Sequence, residues 1–250
     1  MVKRGQCIAV VSGKGGTGKT SLVAGVGAAL SENGKRTLCI DCDVGLRNLD
    51  LTLGLSDRTL MDFSDVARGR CSLASAVVEH PQLKGLYLLT APARSRGRPV
   101  TEGEMTALLG EVRRQFDYCL LDAPAGLDGG FRLATCAADR CIIVTTSDAS
   151  SLRDAQHTVM ELHHFSAGRL HLVVNRVRKK MLRSMHATID DAIDKAGLPL
   201  IGVVPEDDAL PLCLNRGMPL LLAGDRLAAD AYRNIAKRIQ GAKVPLMRMK

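Results

Sequence analysis

Short apolar runs alternate along the chain with longer segments of helical periodicity. Each run has about the length of an average strand, and the runs occupy 7–12, 36–41, 86–91, 118–123, 141–146, 170–175 and 199–204. Between them, apolar residues recur at helical spacing, which predicts helices over 19–33, 102–115, 151–165, 182–196 and 226–239. Strands that alternate with helices favour a parallel sheet covered on both faces. We therefore predict an α/β fold with a single doubly wound, mostly parallel sheet.

The composition points to an aliphatic core. The chain of 250 residues contains no Trp, four Phe and three Tyr. Val, Ile and Leu suit strands that are buried on both faces, whereas a sheet that stacks bases on aromatic side chains is disfavoured. We assign residues 1–240 to one domain and 241–250 to a basic C-terminal tail.

Charge and cysteine usage bear on partners and location. The net charge of +8 favours an anionic partner such as nucleotide, lipid or nucleic acid, although a basic surface alone also accounts for it. No secretory signal opens the chain and no apolar run reaches the length of a membrane span. The eight cysteines are scattered, and Cys39 and Cys42 lack the second pair that a four-ligand metal site needs. We expect a cytoplasmic protein with reduced thiols.

The segment "VVSGKGGTGKTS" (10–21) carries the clearest chemistry. Gly13, Gly18, Lys19 and Thr20 fit the phosphate-loop pattern G-x-x-x-x-G-K-[ST], between a predicted strand and a predicted helix. Backbone N–H groups of such a loop and the helix N-terminus bind phosphate. Lys19 is then expected on the β- and γ-phosphates and Thr20 on Mg²⁺, which makes the fold that of a P-loop NTPase. Lys14 is a second cation that the pattern does not require.

Carboxylates follow two other predicted strands. Asp122 ends the strand in "YCLLDAPAG", and Asp41 and Asp43 end the strand in "TLCIDCDVG". Ligands of open α/β sheets bind at the carboxyl ends of strands. Asp122 is therefore a candidate for the Mg²⁺ carboxylate. The spacing of Asp41 and Asp43 puts both on one side of an extended chain, where one would hold a Mg²⁺-bound water and the other orient the attacking water. An ordinary turn is the alternative for this pair.

Several motifs together resemble a known family. "GKGGTGKTS", "DCDVGLRNLDLTLG", "LLDAPAG", "VVNR" and "GVVPED" occur in this order, and over residues 6–240 the chain resembles the MinD/ParA family of deviant-Walker ATPases. The resemblance implies a homodimer that closes face to face around two ATP molecules. It also implies that Lys14 reaches the phosphates in the partner's site. A cation supplied in trans, such as an arginine finger, accelerates phosphoryl transfer roughly 10³–10⁵-fold.

The resemblance implies roles for individual residues, each with loop stabilisation as its alternative. The catalytic set is Lys14, Lys19, Asp41, Asp43, Asn48 and Asp122, with Asp43 positioning water and Asn48 assisting. The Mg²⁺ set is Thr20, Asp41 and Asp122. The phosphate-binding set is Gly13, Lys14, Gly15, Gly16, Thr17, Gly18, Lys19, Thr20 and Ser21, together with Gly126 of the second switch. The adenine is framed by Asn175 and Arg176 on one side and by Pro205, Glu206 and Asp207 on the other.

Two functions follow from the two branches of the family. "DVGLRNLDLTLG" and "TTSDASSLRDA" favour the MinD branch: a switch in placement of the cell-division site that hydrolyses ATP to ADP and phosphate, slowly without an activator. That branch implies division-inhibitor and activator proteins as partners, with Asp154 as a possible contact, and an anionic membrane surface at the inner face of the cell membrane. The alternative is a ParA-like partition or cargo-positioning ATPase that binds DNA non-specifically. A metal-cluster carrier is disfavoured because residues 122–135 contain no cysteine.

The tail departs from the MinD pattern. After Asp230 the chain carries six basic residues and no acidic one, namely Arg233, Lys237, Arg238, Lys243, Arg248 and Lys250. Its final apolar residues are few and are interrupted by Pro245, whereas a membrane-surface helix needs a longer apolar face. A second basic cluster, "NRVRKKMLRS" (175–184), is either a solvated helix approach or a contact for lipid headgroups or DNA phosphate. Membrane or DNA as the matrix stays open at this point.

Overall fold

The computed structural model describes residues 4–44, 46–58, 60–93, 98–166, 168–178 and 196–246. The predicted helix over 182–196 lies, apart from Ala196, outside the described residues. So do Lys179, Lys180 and Arg183 of the second basic cluster and residues 247–250 of the tail.

A single sheet organises the described residues. Its eight strands are β1 (Gln6–Val11), β2 (Thr37–Asp41), β3 (Val78–Glu79), β4 (Leu86–Leu89), β5 (Tyr118–Asp122), β6 (Arg140–Thr145), β7 (Leu170–Val177) and β8 (Leu200–Pro205). They are ordered β3-β4-β2-β5-β1-β6-β7-β8. All neighbours are parallel except β3, which pairs antiparallel with β4 at one edge. The predicted doubly wound, mostly parallel sheet is confirmed. The two-residue strand β3 was not predicted, because it is too short to show a period.

Helices cover both faces of the sheet. They are α1 (Lys19–Glu32), α2 (Leu49–Leu53), α3 (Phe63–Ala67), α4 (Leu73–Ala76), α5 (Glu102–Gln115), α6 (Gly129–Thr135), α7 (Ala149–Glu161), α8 (Ala209–Asn215) and α9 (Leu227–Ile239). The four long helices agree with the prediction, except that α7 begins at Ala149 and ends at Glu161. Leu162 continues the apolar pattern, but its backbone has left the helix there. The short helices carry too few turns to show helical periodicity.

Helix α1, which follows the phosphate loop, is held tightly between α9 and the sheet. A Cβ on Gly25 would lie 2.2 Å from the Tyr232 ring, and one on Gly27 would lie 2.6 Å from Cys39 Sγ. Only glycine permits these approaches, because any side chain would overlap its neighbour. The packing fixes the direction of α1 and hence the position of the loop before it.

The central strands bring three site segments to one edge of the sheet. Asp41 at the end of β2 is in register with Asp122 at the end of β5, and Val10 of β1 lies beside Asp122. The Cys42 N–H donates to the carbonyl of Asp122 over 3.0 Å. The two carboxylates and the phosphate loop therefore meet at the carboxyl ends of neighbouring strands.

Candidate nucleotide-binding site

The loop between β1 and α1 depends on glycine at particular positions. Gly16 and Gly18 have φ of +77° and +91°, a region that L side chains rarely adopt. A Cβ on Gly18 would also lie 2.3 Å from Asn175 Nδ2, and one on Gly13 would lie 2.7 Å from the carbonyl of Asp154 in α7. The loop is thus clamped between β7 and α7. Asp154, a candidate partner contact, is half-buried and packs against the loop through its backbone.

Lys19 is turned into the protein. Its side chain is largely buried, and Nζ donates to Ser12 Oγ over 2.8 Å, while that hydroxyl donates to the carbonyl of Lys14 over 2.6 Å. Burial lowers the pKa of Lys19, and the carboxylates of Asp122 and Asp43 oppose this shift. An ammonium in these surroundings is fixed in position, which suits a group that binds phosphate inside the site.

Asp41 uses both carboxylate oxygens to shape the segment from Cys42 to Leu49, which the family resemblance implies is the first switch. It is fully buried, and Oδ1 accepts the N–H of Asp43 over 2.8 Å while Oδ2 accepts the N–H of Leu49 over 3.2 Å. Burial raises its pKa to about 6, and these two hydrogen bonds oppose the rise. Asp43 is half-buried, and burial also raises its pKa, against the charge of Lys19. Of these two carboxylates, only Asp43 lines the cavity in front of the phosphate loop.

Asp122 has the properties of a cation ligand. It is 2% exposed, and its Oδ1 has no hydrogen-bond partner among the described residues. Burial, followed by the charge of Asp41, raises its pKa to about 8, while a hydrogen bond with Thr20 and the charge of Lys19 oppose the rise. A buried carboxyl with an unsatisfied oxygen beside a hydroxyl is a hard-oxygen donor set, which Mg²⁺ prefers. The residues at this point therefore fit that ion.

A cavity of about 710 Å³ opens in front of the loop. The predicted site residues that line it are Gly15, Gly16, Gly18, Lys19, Thr20, Ser21, Asp43, Asn48, Asn175, Arg176, Pro205, Glu206 and Asp207. Six other predicted residues do not line it, namely Gly13, Lys14, Thr17, Asp41, Asp122 and Gly126. Asp41 and Asp122 lie in the buried layer at the strand ends, and the Thr17 hydroxyl, like Asp122 Oδ1, is buried with no partner among the described residues.

The residues predicted around adenine also brace the phosphate loop. Asn175 Nδ2 donates to the carbonyl of Thr17 over 2.7 Å, and its Oδ1 accepts the N–H of Arg176 over 2.9 Å. Arg176, held at φ of +57°, donates to the carbonyl of Gly16 over 3.2 Å. Its guanidinium also lies 3.5 Å from Glu206. The residues predicted to frame adenine and those of the phosphate loop are therefore joined in one unit by hydrogen bonds and an ion pair.

Lys14 lies on the outer face of the same loop. Its side chain is 49% exposed, and Nζ is 4.0 Å from Oδ1 of Asp148, which is itself 54% exposed. Asp148 accepts the N–H and hydroxyl of Ser151 at the start of α7, and hydrogen bonds with Thr146 and Ser151 lower its pKa. Lys14 lines a separate open cavity of about 460 Å³ together with Thr17, Gly15 and Gly16. An exposed ion pair of this length adds little stability, so the ammonium is available to another ligand.

Comparison with known proteins agrees with this geometry. The family description "CobQ/CobB/MinD/ParA nucleotide binding domain" matches residues 8–220. The chain belongs to this family.

Individual members of the MinD/ParA family are similar over nearly the whole chain. The septum site-determining protein MinD of Synechocystis sp. is 38% identical over 243 residues, which cover 96% of this chain and 91% of that protein. A chain in the MinC:MinD cell division protein complex of Aquifex aeolicus superimposes with a TM-score of 0.88 at 34% identity, covering 97% of this chain and 98% of that one. MinD of Pyrococcus horikoshii OT3 complexed with Mg-ADP gives a TM-score of 0.80 at 27% identity, with 94% and 95% covered.

Sequence reasoning missed part of the cavity wall in this MinD/ParA-family chain. Leu46, Leu51 and Thr52 line it, as do residues of α8 and Tyr232 of α9. Tyr232 lies beyond the region that the family description matches. No local pattern marks these residues as part of the site, because the tertiary packing, including that of α2 against α8, brings them to the cavity.

Proposed function

We propose that this chain is a MinD-like ATPase, an ATP-dependent dimerising switch in placement of the cell-division site that hydrolyses ATP to ADP and phosphate. The observation that carries the proposal is the opposite placement of two lysines in one phosphate loop, Lys19 buried and Lys14 exposed. The MinD relatives support it. The solved MinC:MinD complex supports a division inhibitor of the MinC type as partner, and we expect an activator protein as well.

Within one subunit, the loop and the strand ends hold ATP. Backbone N–H groups of the glycine loop and Lys19 bind the phosphates, while the unit of Asn175, Arg176 and Glu206 borders the adenine. Thr20 and Asp122 would hold Mg²⁺, with Asp41 behind them. When bound, Mg²⁺ neutralises charge on the phosphate oxygens. The solved Mg-ADP complex of a family member supports both ligands.

The hydrolytic step is assigned to the first switch. Asp43 is the one carboxylate of the proposed catalytic set that reaches the cavity surface, so we assign it to orient the attacking water, with exposed Asn48 beside it in the same segment. Asp41 acts as a positioning residue, because its hydrogen bonds to the N–H groups of Asp43 and Leu49 fix the course of this segment. Hydrolysis without an activator is expected to be slow.

We assign Lys14 of each subunit to the nucleotide site of the other subunit in the dimer. Its Nζ lies near Asp148 on the outer face of the loop. From this position the ammonium could reach the phosphates bound by a facing subunit. A cation donated in trans neutralises charge that develops during phosphoryl transfer. Because the same contact joins the subunits, ATP binding stabilises the dimer and hydrolysis releases it.

The place of action is proposed to be an anionic membrane surface, reached peripherally from the cytoplasm. None of the helices in the described ranges is long and apolar enough to cross a bilayer. We assign residues 1–240 to the ATPase domain and 241–250 to a basic tail. The first part of the tail is held against α9, because Arg238 donates to the carbonyls of Val244 and Pro245 over 3.1 and 2.8 Å. Two weak tails on one dimer would bind a surface far more tightly than one.

Co-sedimentation separates this proposal from DNA binding. The protein is incubated with vesicles containing anionic lipid or with duplex DNA, each with ATP, with ADP and without nucleotide, and with the tail present or removed at residue 240. The proposal predicts ATP-dependent sedimentation with vesicles that is lost without the tail. ATP-dependent and strongly salt-sensitive binding to DNA, with none to vesicles, would support the ParA-like alternative instead.

A further inference from the structure

A second groove of about 650 Å³ adjoins the nucleotide cavity, and Asp43 lines both. Its apolar floor includes Phe63, Pro92, Val100 and Leu133. Phe63 is buried, whereas Pro92 and Val100 are partly exposed. The groove is therefore open enough to receive a side chain from outside and apolar enough to bind it by burial.

The rim of this groove is basic. Arg68, Arg98 and Arg132 line it, together with the carboxylates of Asp43 and Glu102. Arg98 is already held by Glu104 over 2.6 Å, and Arg68 donates to the carbonyl of Arg98. Arg132 on α6 is exposed and makes no ion pair with any residue that the structure describes. Its guanidinium is thus available to a carboxylate from outside.

Both switch segments form walls of the groove. Cys42, Asp43 and Val44 of the first switch line one part of it, and Pro124 and Gly130 after β5 line another. A Cβ on Gly130 would lie 2.4 Å from Pro124 Cγ, so α6, which carries Arg132, packs directly on the second switch. An occupant that contacts α6 and Val44 would therefore contact both segments that adjoin the nucleotide, without entering the nucleotide cavity.

We propose that this groove binds a short acidic peptide segment of a partner protein, with one apolar side chain on the floor and a carboxylate on Arg132. The chemistry fits an apolar floor beside a guanidinium that has no ion pair among the described residues, and the net charge of +8 on the chain would attract such a segment. The affinity depends on whether ATP or ADP is bound, because both switches line the site. The dependence on nucleotide rests on the proposed ATPase function, whereas binding of the peptide to the groove does not.

Fluorescence anisotropy with a defined probe tests the proposal. The probe is a fluorescein-labelled peptide of sequence DELFED, and a KKLFKK peptide of opposite charge is the matched ligand control. Arg132→Glu is compared with Arg114→Glu, which makes the same charge change on an exposed residue at the other end of α5 from the groove. We expect DELFED to bind the wild type, to bind Arg132→Glu at least about fivefold more weakly, and to bind Arg114→Glu within about twofold of wild type.

Three further readings complete the test. High salt should weaken DELFED binding, KKLFKK should bind more weakly than DELFED, and exchange of ADP for ATP should change the DELFED affinity. Equal affinity of wild type and Arg132→Glu for DELFED, or equal binding of the two peptides, would overturn the proposal. Binding of a fluorescent ATP analogue is measured in the same samples. Its absence would count against the ATPase function, and Arg132-dependent peptide binding could still stand.

Discussion

The phosphate loop places one lysine ammonium on its inner, buried face and another on its outer, exposed face. Lys19 is 7% exposed, is hydrogen-bonded to Ser12 and lies among carboxylates. Lys14 is about half exposed, and its ammonium lies 4.0 Å from the carboxylate of Asp148. A buried cation is fixed for a ligand of its own subunit, while an exposed one is free to serve a ligand outside. The difference teaches that the charge of a loop lysine says little about its role until its burial is known.

The largest expected effect comes from the inner lysine. Lys19→Ala leaves Asp43 and Asp122 without their nearby cation and removes a charge from the phosphate-binding surface. We expect the affinity for ATP to fall by about 100-fold or more, which corresponds to about 3 kcal/mol. Titration with a fluorescent ATP analogue measures it, and Lys14→Ala is the matched control that should bind within about threefold of wild type. Similar losses in both variants would erase the proposed distinction between the faces.

Asp43→Ala should separate binding from hydrolysis. Without the carboxylate that orients water, phosphate release is expected to fall by about 10²-fold or more, while ATP stays bound and the dimer persists. Phosphate release and light scattering after gel filtration measure the two properties on one sample. A variant that still hydrolyses ATP at the wild-type rate would remove Asp43 from its assigned role.

Two glycines sharpen the comparison at the level of the backbone. Gly16 and Gly18 both have positive φ, but a Cβ on Gly18 meets Asn175 Nδ2 at 2.3 Å, whereas one on Gly16 meets nothing within 4 Å. Gly18→Ala should therefore lower the free energy of unfolding by about 3 kcal/mol and Gly16→Ala by about 1 kcal/mol. Urea denaturation measures both. Equal losses would mean that the contact with Asn175 does not make position 18 more tightly packed than position 16.

The smallest expected effect lies away from the loop. His80 is 4% exposed, its Nδ1 accepts the N–H groups of Gln82 and Leu83, and burial lowers its pKa. The unfolded chain then binds a proton before the folded protein does, so stability falls as the pH drops below about 6.5, by at most about 1.4 kcal/mol per pH unit.

His80→Asn provides the control for this prediction. Asn offers an acceptor oxygen but does not titrate in this range, so the difference in stability between wild type and variant should shrink as the pH falls. Urea denaturation at several pH values measures that difference. A pH-independent difference would contradict the assigned role of His80.

The sequence predicted the long elements and the loop well, because both are local patterns. Apolar runs located the long strands, and the spacing of Gly13, Gly18, Lys19 and Thr20 located the glycine loop between β1 and α1. The short helices were not predicted, because each has too few turns to show helical periodicity. Helix α2 begins where Asp41 accepts the N–H of Leu49.

The arrangement of the candidate site could not be predicted from the sequence. Spacing placed Asp41 and Asp43 on one side of an extended strand, but Asp41 is turned to backbone N–H groups while Asp43 reaches the cavity. Asn175 was predicted beside adenine, and its hydrogen bond to the carbonyl of Thr17 joins residues far apart in sequence. The groove rimmed by Arg132 is built from several distant segments. Such contacts depend on how distant strands and helices pack together, which no local pattern encodes.

The molecular mass in saturating ATP and Mg²⁺ tests the central claim most directly. Light scattering after gel filtration is applied to the wild type, to Lys14→Ala, and to Lys84→Ala as a control on an exposed lysine outside both loop cavities. The account predicts a dimer with ATP and a monomer with ADP for wild type and Lys84→Ala, and an ATP-bound monomer for Lys14→Ala. A wild type that stays monomeric with ATP bound, or a Lys14→Ala variant that dimerises as wild type does, would contradict it.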